Sequence, residues 1–312
     1  MANSLSPKSG LLQSRFRGCL LGLAIGDALG APFEGSGFTS AVQVRASAGD
    51  NPLLRYTDDT HMAIGIAESL ISCLGFDGPD MAEKFIKNYE QEPWRGYGPG
   101  PPRIFNKIRA GSSWDRAAED IYPGGSYGNG SAMRVAPLAL FFYRDRDKLI
   151  TTARLQSRIT HAHSLGKEGA ILQALAVALA AGDDSILSAR DILEQLKTYT
   201  TEEVYLQKLT ETEALLNTAN VKEIASRLGN GIEAFNSVPT AICCALRHPD
   251  SFEEAVLEAV SLGGDADTIA CMAGAISGAW IGIESIPEKW IVKLENREYL
   301  DKLALDLWEA AQ

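Results

Sequence analysis

The chain has 312 residues, of which 46% are hydrophobic and 22% charged, and its net charge is −11. This length allows one large domain or two small ones, and either can bury a substantial core. The acidic balance argues against nucleic acid as the main ligand, because binding to a phosphate backbone requires a basic surface. A small anionic ligand remains compatible with it, since metal ions and backbone amides can supply local positive potential.

The five cysteines form an odd set without Cys-x-x-Cys spacing, and four of them lie in apolar helical sequence. Cysteines in such segments are usually small core residues, so a reduced, cytoplasmic protein is expected. No stretch approaches the ~20 apolar residues that a membrane span requires. The short apolar run after Arg17 is interrupted by Asp27 and lacks a convincing cleavage site. Neither a membrane span nor a signal peptide is predicted.

Helical periodicity dominates the chain from Gln13 onward, and alternating strand patterns are nearly absent. No Ser-, Pro- or charge-rich linker divides the chain. We therefore predict one all-α domain over 13–312, preceded by a flexible N-terminus over 1–12. Helix N-caps are expected at Asp80, Ser113, Ser237 and Ser251. The predicted helices cover 13–30, 60–75, 79–91, 101–110, 113–121, 131–143, 146–159, 166–182, 187–199, 202–217, 221–228, 238–247, 252–262, 267–284 and 298–311.

Two of these predicted helices carry a glycine at every fourth position. At 3.6 residues per turn, such glycines form a nearly continuous stripe. A glycine inside a helix costs about 1 kcal/mol relative to alanine. The stripes therefore predict close packing of helices at the centre of the bundle. The first stripe is Gly18, Gly22, Gly26 and Gly30, and the second is Gly274, Gly278 and Gly282.

Two acidic residues lie near the end of the first glycine-striped helix, one inside it and one just after it. Asp27 is predicted to be a structural, hydrogen-bonded aspartate rather than a metal ligand. Glu34 follows the helix in a turn that can place its carboxylate over a metal site. A carboxylate outside the metal shell is suited to acid–base or gating work. A solvated loop glutamate is the alternative.

Two acidic clusters, 57–60 and 264–268, each precede an apolar helical run. One carboxylate per helix would satisfy a cap, and capping alone is one interpretation. Two per helix exceed that need, because like charges repel each other. Oxygen-only ligands indicate Mg²⁺ or Mn²⁺. Six oxygen donors favour two metal ions over one, and these donors are Thr57, Asp58, Asp59, Asp265, Asp267 and Thr268.

A glycine-rich loop, 125–130, runs in the sequence directly into a predicted helix. Glycines allow a backbone to approach a ligand, and a helix N-terminus offers free N–H groups to phosphate. Tyr127, and also Tyr122, could stack on a base. The spacing is neither that of a Walker loop nor that of a dinucleotide fingerprint, and a plain turn is the alternative.

His161 and His163 form a His-x-His pair, which suggests zinc. No cysteine at a suitable spacing accompanies the pair, so a histidine metal site is not favoured. One of the two histidines is instead expected to hydrogen-bond a ligand near Ser126.

At these residues the chain resembles the ADP-ribosylglycohydrolase family. The resemblance spans roughly 15–285, and its motifs are specific in combination. Finer features resemble the branch that cleaves serine-linked ADP-ribose and poly(ADP-ribose): Phe33-Glu34, 95–98, 125–127, 229–235 and 237–242. The family motifs are the segments 26–30, 56–60, 128–134 and 262–268.

This resemblance implies an orthogonal all-α bundle with two Mg²⁺ or Mn²⁺ ions at the bottom of an ADP-ribose cleft. The six oxygen donors named above would be the metal ligands. Glu34 and Asp265 would be the catalytic residues, and Glu34 would match a mobile glutamate that covers the ions. The residues expected to bind ADP-ribose are Gly125, Ser126, Tyr127, Gly128, Asn129, His161 and, stacking on adenine, Tyr122.

The expected activity is metal-dependent hydrolysis of the O-glycosidic bond between ADP-ribose and an acceptor. The partners would be ADP-ribosylated proteins or poly(ADP-ribose), and the protein would be a monomer that binds neither nucleic acid nor membranes. One alternative is hydrolysis of arginine-linked ADP-ribose on the same metal framework. The other is a non-enzymatic relative that only binds ADP-ribose.

Overall fold

The structure is a computed structural model that describes residues 7–182, 187–217 and 220–312. Within these ranges the chain forms α-helices and two short 3-10 turns, Ala31–Phe33 and Ile283–Ser285, and no β-strand. The helices are α1 (Pro7–Gly30), α2 (Ala41–Asp50), α3 (Asp58–Cys73), α4 (Gly78–Gln91), α5 (Gly100–Arg109), α6 (Ala117–Ile121), α7 (Ala136–Phe141), α8 (Arg146–Ser157), α9 (Ser164–Ala181), α10 (Ala189–Tyr199), α11 (Glu203–Leu215), α12 (Val221–Leu228), α13 (Ala234–Arg247), α14 (Phe252–Ser261), α15 (Ala266–Ile281), α16 (Glu288–Ile291) and α17 (Arg297–Ala310).

The all-α prediction is confirmed, with differences at the ends of the helices and in two short helices. Helix α1 begins at Pro7, so the part of the expected flexible N-terminus that the structure describes is helical. Residues 1–6 lie outside the described range. Helices α2 and α16 were not predicted. A capping box starts α2, where Ser40 Oγ accepts from Gln43 N at 3.3 Å and Gln43 Oε1 accepts from Ser40 N at 3.0 Å. That Ser-x-x-Gln pattern could have revealed α2.

One of the four expected N-caps is correct. Ser251 caps α14, and its hydroxyl accepts from Glu254 N at 3.2 Å. The cap of α4 is Asp77 rather than Asp80, because Pro79 fits the first turn, where no N–H is needed. Ser237 lies inside α13, which begins at Ala234. Ser113 lies before the short helix α6, whose N-cap residue is Arg116.

The two glycine stripes face each other along α1 and α15, as predicted. A Cβ on Gly22 would lie 2.5 Å from Gly274 O, and one on Gly18 would lie 2.7 Å from the backbone of Gly282. These distances are too short for any side chain, so only glycine permits the contact. The contact continues to Gly30, whose added Cβ would lie 2.5 Å from Ala266 O. The start of α15 therefore lies beside the end of α1.

By length and composition, two helical segments could cross a membrane. This differs from the expectation that no stretch is long and apolar enough. They are Ser9–Phe33 and Ser164–Ala181, and 78% and 83% of these windows are buried inside the fold. Both helices pack into the main hydrophobic core. Burial in that core accounts for their apolar composition.

Candidate active site

Asp27, near the end of α1, organises the start of α3. Its buried carboxylate accepts from Thr57 N at 3.0 Å, from Thr57 Oγ1 at 2.8 Å and from Thr60 Oγ1 at 2.6 Å. As predicted, it is a hydrogen-bonded structural residue. The Thr57 hydroxyl donates its proton to Asp27, and its oxygen accepts from Asp59 N at 3.4 Å, which leaves one lone pair available to a cation. The first turn of α3 then presents Asp58 and Asp59.

The second acidic cluster is held by a turn that only glycine can form. Gly263 and Gly264 both have φ of 64°, a left-handed conformation that side chains disfavour. Asp265 N donates to Asn230 O at 2.8 Å, and Asn230 Nδ2 donates to Leu262 O at 2.8 Å. These bonds fix the direction in which Asp265 enters α15.

Glu34 is clamped onto that same turn. Gly35 N donates to Gly264 O at 2.7 Å, and Gly264 N donates to Ser36 O at 2.9 Å. One carboxylate oxygen from each of Glu34, Asp265 and Asp267 lies within 4.8 Å of the others. Glu34 is exposed, whereas the two aspartates are buried. Three sequence-predicted acids from two distant segments thus meet at one point.

The buried carboxylates have strongly raised pKa values. Burial, and then repulsion from Asp27, raises the pKa of Asp58 to about 8. Burial, and then repulsion from Asp265, raises the pKa of Asp267 to about 8. The pKa of Asp59 is raised well above its usual value by burial, and that of Asp265 is raised to about 6. Their ionised forms are therefore unstable together unless positive charge is added.

We expect the metal-free protein to lose stability as the pH rises. Because the folded-state pKa values of Asp58 and Asp267 lie above the unfolded value of 3.8, the folded state binds extra protons. Stability is then fully present below about pH 4 for these groups and is lost as the pH rises towards 8. Thermal melts in EDTA should give a Tm about 5 °C lower at pH 8 than at pH 6.

The variant Asp58→Asn is the control for this pH dependence, because it removes one of the titrating groups and should flatten the difference. Added Mg²⁺ or Mn²⁺ should raise the Tm more at pH 8 than at pH 6, since cations bind ionised carboxylates. An unchanged or higher Tm at pH 8 in EDTA would contradict the electrostatic account.

The donor set fits a divalent cation. Asp59 Oδ2 is buried without a hydrogen-bond partner, and a buried carboxylate oxygen in that state is destabilising unless it binds a cation. The neighbouring donors are carboxylate and hydroxyl oxygens, the ligands that Mg²⁺ and Mn²⁺ prefer. No histidine or cysteine belongs to the carboxylate cluster found among the described residues.

The carboxylates line a cavity of about 350 Å³. This volume is in the range of small-molecule sites. The sequence-predicted residues that line it are Glu34, Thr57, Asp58, Asp59, Tyr122, Ser126, Gly128, Asn129, His161, Asp265, Asp267 and Thr268. The structure thus brings all six proposed metal ligands together with five of the seven residues expected to bind ADP-ribose.

Gly125 and Tyr127 are not among the described residues that line the cavity. Gly125 has φ of 83°, and a Cβ there would lie 2.5 Å from the carbonyl carbon of Ala162. It therefore seats the loop on the segment before α9. Tyr127 is half exposed, and its ring packs against His163 at 5.7 Å and Phe235 at 6.1 Å between centroids.

The glycine-rich loop does not run directly into a helix, which corrects the sequence-based expectation. Residues 130–134 form turns, and α7 begins only at Ala136, with Pro137 in its first turn. The turn is held by Ala132 N and Met133 N, which donate to Asn129 O at 2.7 and 3.0 Å. A helix N-terminus is therefore absent from this described loop, and anion binding there depends on the loop itself.

Asn129 has a role that the sequence did not show. Its side-chain amide donates to Asp265 Oδ2 and, at 3.0 Å, to Ser237 Oγ. This bond partly offsets the effect of burial on the pKa of Asp265. Asn129 thus orients a carboxylate of the acidic cluster while lining the cavity.

The two histidines have separate roles, and neither joins the carboxylates. His161 lines the cavity, and its Nδ1 lies 2.7 Å from Thr160 Oγ1. Burial, and then the charge of Arg134, lowers the pKa of His161 to about 3, so the ring is neutral. His163 caps α9, and its Nδ1 accepts from Leu165 N at 3.1 Å.

A Pro/Gly-rich segment forms one wall of the cavity, although the sequence indicated only a turn there. Gly96 has φ of 90°, and a Cβ on it would lie 3.5 Å from Asp58 Oδ1. The density of proline and glycine was the available sequence signal. The lining residues that sequence reasoning missed as cavity residues are Met62, Gly96, Gly98, Pro99, Gly100, Pro101, Ile104, Gly130, Met133, Thr160 and Ile232.

Comparison with known proteins gives matches across almost the entire chain. A family profile described as ADP-ribosylglycohydrolase matches residues 8–312, a range that includes every residue of the cavity. ADP-ribosylhydrolase ARH3 of Homo sapiens is 39% identical over 96% of this chain and 94% of its own length. ADP-ribosylarginine hydrolase Tri1 of Pseudomonas putida is 26% identical over 99% of this chain and 81% of its own length.

A solved structure gives the same result for the fold. A chain described as an ADP-ribosylglycohydrolase-related protein complex has a TM-score of 0.73 and 28% identity to this chain. The alignment covers 97% of this chain and 100% of that one. The helical architecture described above is therefore shared over its full extent.

Proposed function

The chain belongs to the ADP-ribosylglycohydrolase family and is a glycosyl hydrolase, and from that premise we propose that it cleaves the O-glycosidic bond between ADP-ribose and an acceptor hydroxyl. The acceptor would be a serine of a modified protein or a ribose of poly(ADP-ribose). The single observation that carries the proposal is the meeting of Glu34, Asp265 and Asp267 within 4.8 Å in the lining of the cavity. In the proposal, the glycosidic oxygen would lie beside these acids.

We propose that two Mg²⁺ or Mn²⁺ ions complete the site. They would be held by Thr57, Asp58, Asp59, Asp265, Asp267 and Thr268. Such ions would orient the ribose hydroxyls, polarise the anomeric C–O bond and activate water. The raised pKa values of the aspartates and the unpartnered Asp59 Oδ2 support cation binding.

The residues of the chain have separable tasks in this proposal. Ser126, Gly128 and Asn129 line the cavity and would bind the diphosphate, and Tyr122 forms an aromatic part of the cavity wall. Glu34 would move a proton between water or the acceptor oxygen and its own carboxylate. Its exposure allows that proton to exchange with solvent.

We favour hydrolysis of serine-linked ADP-ribose and poly(ADP-ribose) over hydrolysis of arginine-linked ADP-ribose. The segments Phe33-Glu34, 95–98 and 125–127 resemble that branch, and Glu34 and the 95–98 segment contribute to the cavity lining. The relative whose name specifies ADP-ribosylarginine is the more distant of the two relatives compared above. Our choice of acceptor linkage therefore rests on the residues of the cavity wall more than on the proposed metal ligands.

A panel of linkages tests the proposal. Serine-modified peptide, arginine-modified peptide and poly(ADP-ribose) are each incubated with the protein and scored for free ADP-ribose, with and without EDTA. We expect release from the serine and polymer substrates only, and none in EDTA. Release from arginine alone, or undiminished release in EDTA, would contradict the proposal. Binding of ADP-ribose with turnover of none of the linkages would also contradict it.

Glu34→Gln is expected to lower kcat by on the order of 10²- to 10⁴-fold while leaving ADP-ribose affinity nearly unchanged. Glutamine keeps the size of the side chain but cannot transfer a proton as a carboxylate does. Single-turnover assays and calorimetry measure the two quantities. The control is Glu309→Gln on the exposed end of α17, which should change neither. An unchanged kcat for Glu34→Gln removes this residue from the mechanism.

We also propose that the protein is a cytoplasmic monomer that binds neither nucleic acid nor membranes. The five cysteines are free, and four of them are buried. The net charge of −11 disfavours nucleic acid as the main ligand, because binding along a nucleic-acid backbone requires a basic surface. Light scattering at micromolar concentration should give the mass of one chain, 33.6 kDa. A dimer mass would contradict the monomer.

A further inference from the structure

Five acids line the cavity that we propose to bind ADP-ribose, although that ligand carries two phosphate charges. The acids are Glu34, Asp58, Asp59, Asp265 and Asp267. Among the described residues that line the cavity, none is lysine or arginine. Like charges repel strongly where water is sparse. An anionic ligand therefore benefits from any fixed positive charge that lies behind the lining.

Arg134 is a buried cation directly behind that lining. Its side chain is 0% exposed. It follows Met133, which lines the cavity, and its Nη1 lies 3.7 Å from Sδ of Met62, a second lining residue. Nε donates to Gln156 Oε1 at 3.0 Å, and Nη2 donates to Gln156 O at 3.2 Å. The guanidinium carbon lies 4.6 Å from the centroid of the Phe85 ring.

The hydrogen-bond partners of Arg134 are neutral groups: a glutamine amide, a backbone carbonyl and a thioether. Burial of a cation that forms no direct ion pair among the described residues is unfavourable, and the charge of Asp58 offsets only part of this penalty. Burial lowers the pKa of Arg134 to about 9, which still leaves it protonated at neutral pH. The same charge contributes to the low pKa of His161. The charge of Arg134 therefore reaches two places in the cavity lining, Asp58, whose carboxylate raises the pKa of Arg134, and His161.

We propose that Arg134 is a positioning residue that supplies fixed positive potential to the diphosphate of ADP-ribose and so selects anionic nucleotides over neutral nucleosides. The inference rests on the proposed function of the cavity. Gln156 and Phe85 hold the guanidinium in place before the ligand arrives, so little reorganisation is needed on binding. Burial also protects the charge from screening by salt.

The test is calorimetric titration of two ligands, ADP-ribose and adenosine, in EDTA. Both would occupy the same cavity in this proposal, but only ADP-ribose is charged. We expect Arg134→Met to weaken ADP-ribose binding by on the order of tenfold and adenosine binding by less than about twofold. Arg134→Lys keeps the charge and should recover most of the lost affinity. The control is Arg103→Met, because Arg103 is exposed and its guanidinium lies 5.8 Å from the Tyr122 ring. It should change both affinities little.

A purely structural role for Arg134 predicts a different pattern. Gln156 Nε2 donates to Ser131 O at 2.9 Å, so loss of Arg134 could disturb the turn after Asn129. Equal loss of affinity for both ligands, or failure of Arg134→Lys to recover ADP-ribose binding, would overturn the proposal. Unchanged ADP-ribose affinity in Arg134→Met would overturn it as well. If Arg134→Met does not fold, Arg134→Gln serves as the neutral variant. No ADP-ribose binding by the unaltered chain when Mg²⁺ replaces EDTA would instead overturn the proposed function.

Discussion

Asp58→Ala and Asp267→Ala are each expected to abolish metal binding and release of ADP-ribose while raising the stability of the metal-free protein. Each removes a buried carboxylate whose pKa is raised to about 8. Loss of one such charge relieves repulsion within the cluster. It also removes a proposed metal ligand, and kcat/KM should fall by more than about a hundredfold, since even outer partners of metal ligands contribute 10- to 100-fold. Activity and stability should thus change in opposite directions.

Three measurements check this result: the rate of ADP-ribose release, Mn²⁺ binding by calorimetry, and the Tm in EDTA at pH 8. The control is Asp80→Ala, which removes an aspartate from the first turn of α4, outside the cavity. It should leave all three nearly unchanged. Metal-dependent turnover retained in both Asp58→Ala and Asp267→Ala would refute the proposed site. A lower Tm of both variants in EDTA would refute the repulsion argument.

Gly22→Ala is expected to destabilise the fold by about 3 kcal/mol or more. The added Cβ would lie 2.5 Å from Gly274 O and 2.8 Å from the Phe252 ring. The first of these atoms belongs to the backbone of α15, which can move only if the two central helices separate. Separation would also shift Asp267 relative to Asp27, so activity should fall with stability. Thermal and urea unfolding measure the effect.

Gly10→Ala is the matched control in the same helix. A Cβ on Gly10 would meet nothing within 4 Å. Alanine there should stabilise α1 slightly, by up to about 1 kcal/mol, because it lowers the entropy of the unfolded chain. Equal effects of Gly10→Ala and Gly22→Ala would mean that the contact between α1 and α15 does not depend on its glycines.

The acidic clusters and the glycine stripes were readable from the sequence because each is a local pattern. Four carboxylates at two helix starts indicate surplus charge whatever the fold, and glycine at every fourth position indicates a close helix contact. Glu34 was harder. Its distance from Asp265 depends on two backbone bonds between the turns at Gly35 and Gly264. No periodicity encodes such a pairing.

Contacts with neighbouring segments act together with local preferences at the glycine-rich loop. The sequence predicts that Tyr127 stacks on a base, and this stays a prediction; in the structure its ring packs against His163 and Phe235. The loop after it was expected to enter a helix at once. Pro137 lacks the N–H that a longer helix would need from it, and Asn129 O instead holds a turn. Both outcomes depend on contacts between distant parts of the chain.

The sequence by itself determined the helical class, the glycine contact, the acidic clusters and the family resemblance, since these follow from periodicity and residue type. Only the tertiary structure decided which residues share the cavity, that Asn129 orients Asp265, and that Arg134 lies behind the lining with neutral hydrogen-bond partners. The physical reason is that burial and electrostatic environment are properties of packed neighbours. A single arginine in a segment predicted to be helical carries no sequence signal of its burial. The mutual repulsion of clustered carboxylates, in contrast, can be inferred from the sequence alone.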